Sequence, residues 1–113
     1  MGDKSESAAK EKTAEKKVGE NPYKGFMQDF MIADKYGEAS VRNTYKRAFD
    51  EWKDSVEYFA SLVCTLNHQI WNHYEAGNEP LARVYNELWK TADEFAYEHF
   101  KGKDLLYYSN FLD

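Results

Sequence analysis

YKRAFDEWKDSVEYFASLVCTLNHQI, residues 45–70, places large apolar side chains at alternating spacings of four and three: Tyr45, Phe49, Trp52, Val56, Phe59, Val63, Leu66 and Ile70. That spacing keeps one stripe of an α-helix apolar along its whole length. No glycine or proline interrupts the chain from Ala39 to Ala76. The stretch therefore predicts a single long amphipathic helix with a continuous seam, running from a cap at Ser40 to about Tyr74.

The rest of the chain divides around this helix. Asn21 and Pro22 read as an N-cap and first helical residue, and Tyr23, Phe26, Phe30 and Ala33 form one stripe until Gly37 ends the helix. Gly77 and Asn78 close the long helix, and Pro80 opens another that carries Leu81, Tyr85, Leu88, Ala92, Phe95 and His99 at the same spacing up to Gly102. A short helix from Asp104 to Leu112 presents Leu105, Tyr108 and Leu112 on one side. Nothing reads as a strand. The expected architecture is all-α: a long central amphipathic helix packed antiparallel against two shorter helices, plus a short C-terminal helix. At 1.5 Å per residue the long helix spans roughly 55 Å, and its two partners, about 22 and 35 Å, lie end to end along it.

Residues 1–21, MGDKSESAAKEKTAEKKVGEN, hold no aromatic residue and balance five lysines against five acids. Such a segment buries too little apolar surface to offset its ordering entropy, so a disordered Lys/Glu-rich tail is expected ahead of a helical domain at 22–113. The domain then carries the whole net charge of −5, ten Lys and Arg against fifteen Asp and Glu. That sign disfavours general attraction to phosphate backbones, so nucleic acid is not an expected partner. The basic group Arg42, Lys46 and Arg47 reads as a solvated helix face. Nine Tyr, seven Phe and three Trp compensate for the small size, since each ring buries about 150–250 Å². A lone Cys64 cannot form an internal bridge, and no signal peptide or membrane-length apolar run is present. A cytoplasmic protein without membrane contact is the expectation.

Chemistry-bearing residues are few. Cys64 and His68 stand four apart and Glu75 follows one heptad later, with His73 on the seam where an apolar residue belongs. Thiolate, imidazole and carboxylate are ligand types, so a metal-binding or small-molecule-binding centre at Cys64, His68, His73 and Glu75 is one reading. Structural zinc, however, asks for four ligands in paired Cys or His spacings, and these are missing. A buried thiol beside a polar histidine, with His73 and His99 as hydrogen-bonded packing residues, accounts for the same pattern. A Cys64–His68 nucleophile pair on a straight helix lacks oxyanion donors and a concave pocket. No cofactor, metal or catalytic residue is therefore expected. Rings off the seams are more informative. Tyr58, His68 and Trp71 flank the long helix, and Trp89 and Tyr97, with Phe100, flank the next, where charge is sparse. They must bury under the last helix or against another chain, so Tyr58, His68, Trp71, Trp89 and Tyr97 form the candidate interaction surface for a protein partner or a homodimer.

The segments Asp29-Phe30, Ile32-Ala33-Asp34, Thr44 to Phe49, Glu51-Trp52-Lys53, Leu66-Asn67-His68, Ile70-Trp71 and His73-Tyr74-Glu75 resemble small uncharacterised helical proteins carried on bacterial mobile elements and phages. The resemblance spans about Phe26 to Tyr108. It implies a bacterial cytoplasmic setting and an accessory role, and it assigns no site residues. The sequence thus points to a non-enzymatic interaction module, an accessory regulator or inhibitor, with the metal or small-molecule centre as the alternative.

Overall fold

A computed structural model of the chain describes residues 22–112; the tail expected over 1–21 lies outside them. Five helices follow in order: α1 (Pro22–Asp34), α2 (Glu38–Trp52), α3 (Val56–Glu75), α4 (Glu79–His99) and α5 (Gly102–Leu112). The described residues contain no strand, and the domain is an all-α bundle. The helix starts at Pro22 and beside Pro80 fall where the sequence sets them, whereas α4 ends at His99, short of Gly102, and α5 begins at Gly102, two residues ahead of the expected Asp104. At the end of α3, Gly77 takes φ +79, Asn78 N–H donates to His73 C=O at 2.7 Å and Gly77 N–H to Tyr74 C=O at 3.1 Å. This left-handed cap satisfies two carbonyls that the helix end leaves open.

The single helix expected across 39–76 is instead two helices, and this is the main correction to the sequence reading. Lys53 N–H closes α2 on Phe49 C=O at 2.9 Å, and Ser55 N–H bonds Trp52 C=O at 3.0 Å. Ser55 itself is extended (φ −110, ψ 106). Phe59 N–H then takes Ser55 C=O at 2.8 Å to begin α3. Asp54 and Ser55 are poor interior helix residues because their side chains compete for nearby backbone groups. Folding back also brings Phe49 against both Phe59 and Phe95, at ring-centroid distances of 5.8 and 4.8 Å. A continuous helix of roughly 55 Å would exceed the 43 Å longest dimension of the folded domain.

The consequence is a different arrangement around the same seam. α2 and α3 form an antiparallel hairpin. α4 runs antiparallel to α3, with Phe59 beside Phe95 (5.4 Å) and Gln69 beside Tyr85 (3.2 Å). α2 runs in the same direction as α4, as the Arg42–Glu87 (2.8 Å) and Asp54–His99 (2.9 Å) pairs show. α1 does not lie along the first half of a spine. Tyr23 at its start meets His68 at 5.3 Å, while Asp34 at its end meets Gln69 and His73, so α1 crosses the C-terminal half of α3. Phe26, Phe30, Val41, Phe59, Val63, Leu66, Tyr85 and Tyr108 are buried in one core. Each fully buried large side chain contributes about 1.5–3 kcal/mol. α5 closes the far end: Tyr108 is buried, its ring packs on Phe100, and its hydroxyl donates to Asp93 at 2.7 Å.

Candidate interaction surface

The most polar place inside the bundle is the junction of α1, α3 and α4. Tyr85, fully buried on α4, donates its hydroxyl to Asp34 Oδ1. Gln69, 2 % exposed on α3, donates from Nε2 to Asp34 Oδ2 at 2.8 Å, and its Oε1 accepts from Asn72 at 3.0 Å. His73 Nε2 lies 2.8 Å from the same Oδ2, and Asn78 Nδ2 lies 3.3 Å from His73 Nδ1. A carboxylate only accepts, so His73 Nε2–H donates to Asp34. The His73 ring stacks on Tyr85 at 5.5 Å and 10°. Burial first, then the bond to Asp34, push the Tyr85 phenol up from its usual value. Both oxygens of Asp34 are thus committed to side chains of the protein, and the arrangement fastens three helices together. His73 is held as a packing histidine.

The alternative set does not assemble. Cys64 is half-buried, and burial raises its thiol pKa, which lowers its thiolate fraction. His68 is exposed and stands edge-on to Tyr23, His73 turns to Asp34, and Glu75 is exposed at the end of α3. Among the described residues no three His, Cys, Asp or Glu side chains are grouped to hold an ion. His99 pairs separately with Asp54 at 2.9 Å.

The off-seam rings separate into two groups. Tyr58 is half-buried and stacks on Trp52 at 4.2 Å, and Trp89 is half-buried against the core, so both serve packing more than surface. Phe100 is buried beneath α5. Trp71 and Tyr97 remain exposed, at 55 % and 49 %; Tyr97 leans edge-on against Tyr108 at 5.5 Å. Trp71 has an exposed neighbour that the sequence reading gave only as the approximate end of the long helix: Tyr74, 61 % exposed, one turn along α3. Together they wall a groove of about 400 Å³ that Ile70 also lines and whose other side is Glu79, Ala82, Arg83 and Asn86 of α4. Ile70 and Ala82 form its apolar floor, and Arg83 donates to Glu79 on its rim at 2.5 Å. A cleft of this size falls within the range of ligand sites. Tyr58, His68, Trp71, Trp89 and Tyr97 do not gather into one patch around it; Trp71 is the residue of that set that lines the groove.

Among the described residues no helix is long and apolar enough to cross a membrane. No protein-family model, no curated protein and no solved structure matches the chain.

Proposed function

We propose that this chain is a non-enzymatic protein-interaction module that docks its partner in the groove between the end of α3 and the start of α4. The observation that supports this most is the exposure of Trp71 and Tyr74 side by side over a shaped apolar floor. Tryptophan and tyrosine are the residues that most often anchor interfaces, and a fold does not need them on the outside. The commitment of both Asp34 oxygens to internal partners supports a structural rather than a catalytic use of the polar junction. The resemblance to mobile-element proteins supports a bacterial cytoplasmic setting and an accessory role, as a regulator or inhibitor of the protein it holds.

The test is to immobilise wild type, Trp71→Glu and Tyr74→Glu and compare what each retains from a bacterial lysate, with circular dichroism as the control for folding. A species retained by wild type and lost from both folded variants supports the reading. Equal retention by all three overturns it.

A further inference from the structure

Trp71, Tyr74 and Glu79 line one groove. Trp71 and Tyr74 meet edge to face, with centroids 6.0 Å apart and planes at 80°, in a perpendicular corner whose two residues are 55 % and 61 % exposed. The faces of aromatic rings attract cations, and a weakly hydrated planar cation suits them best. Opposite them stands Glu79, which already engages a guanidinium: Arg83 Nε and Nη2 donate to its Oε2 at 3.0 and 2.5 Å. Both bonds use one oxygen, so a second guanidinium can reach Oε1 or replace Arg83 altogether. The displaced pair is a surface i,i+4 contact, with side chains 78 % and 57 % exposed, and such pairs are weak.

Building on the docking reading above, we propose that the groove recognises an arginine side chain of a partner protein. Its guanidinium stacks in the Trp71–Tyr74 corner and donates to Glu79, its methylene stem lies on Ile70 and Ala82, and the chain's own Arg83 is the competitor it displaces. The net charge of −5 favours approach of a basic segment. An anionic ligand that drew Arg83 away would leave the Glu79 carboxylate unpaired beside it in the same groove. A second copy docking about a two-fold axis would set Glu79 and the same ring faces against themselves.

The test is an NMR titration of the Trp71 and Tyr74 ring signals with N-acetyl-arginine methylamide, its neutral citrulline isostere, and benzyl alcohol. Wild type, Glu79→Gln and Arg83→Gln are compared at low salt, with melting curves to confirm that both exposed substitutions leave the fold intact. The arginine probe should bind at least threefold more tightly than citrulline. Arg83→Gln should tighten arginine binding about twofold by freeing the carboxylate, and Glu79→Gln should abolish the preference. Equal response to arginine and citrulline, or weaker arginine binding in Arg83→Gln, overturns the inference and leaves the docking reading standing. Dimerisation of wild type that Arg83→Gln abolishes reassigns the arginine to a second copy and overturns the separate partner. No response to any probe, benzyl alcohol included, removes both readings.

Discussion

Phe59 is fully buried, with the rings of Phe49, Phe95 and Phe100 at 5.8, 5.4 and 5.8 Å. Phe59→Ala opens a cavity that three helices share and should cost about 3–5 kcal/mol. Trp52 lies on the same seam but is half-buried and rests on Tyr58, so Trp52→Ala should cost about 1–2 kcal/mol; denaturant melts of the two variants check the order. Tyr45 behaves differently. Its hydroxyl is buried with no hydrogen-bond partner among the described residues, and burial raises its pKa to about 12. Tyr45→Phe removes an unsatisfied group and should stabilise the domain by about 1 kcal/mol at neutral pH. The pH dependence has a definite sign, because the folded pKa lies above the unfolded value of about 10. The fold favours the protonated phenol, so stability is fully present below pH 10 and is lost as pH rises from about 10 through 12. The advantage of Tyr45→Phe should therefore widen across that window when unfolding is followed at successive pH values. Tyr85 and Tyr108, also raised by burial and by their carboxylate partners, add to the alkaline loss in both proteins.

At the scale of the helices, much was legible and one feature was not. Pro22, Gly37, Gly77, Pro80 and Gly102 act through backbone restrictions that depend on residue type alone, so the ends they set can be read directly. The turn at Lys53, Asp54 and Ser55 uses no such residue, and the four-three spacing passes through it undisturbed because both arms of the hairpin face one core. Asp54 and Ser55 only weaken the helix there, and packing in three dimensions decides that it breaks. The side chain of Ser55 makes no capping bond, so Ser55→Ala should change stability by less than about 0.5 kcal/mol, whereas a hydrogen-bonded cap would lose about 1 kcal/mol. The junction at Asp34 was half legible. His73, a polar residue on an apolar seam, announced it; Asp34 and Gln69 gave no sign, since an aspartate at a helix end, or a glutamine beside the apolar stripe, is ordinarily solvated. Asp34→Ala strands the polar atoms of Tyr85, Gln69 and His73 and should cost about 3 kcal/mol or more, measured against Tyr85→Phe, which removes the hydroxyl that Asp34 and Gln69 share but leaves each of them its other partners, and should cost about 1–2 kcal/mol.

For the molecule as a whole, the groove end can change without disturbing the core. Trp71 is 55 % exposed, so Trp71→Glu should keep the helical circular dichroism and the melting temperature while abolishing association; a variant that unfolds instead would make Trp71 part of the core. The Trp71 surface was legible as a ring off the seam, but its partner Tyr74 was not, because spacing cannot tell which rings in the last turn of a helix its neighbours leave uncovered. The Asp34 junction has a further consequence, in time rather than in strength. Every helix from α1 to α4 packs on a neighbour in sequence, which permits early local pairs, whereas the fastening of α1 through Asp34 must wait for Tyr85, 51 residues away. Contacts that close such long loops come late in folding. α1 should then dock after the transition state, so that Asp34→Asn leaves the refolding arm of a chevron nearly unmoved and speeds the unfolding arm, while Phe59→Ala slows refolding as well.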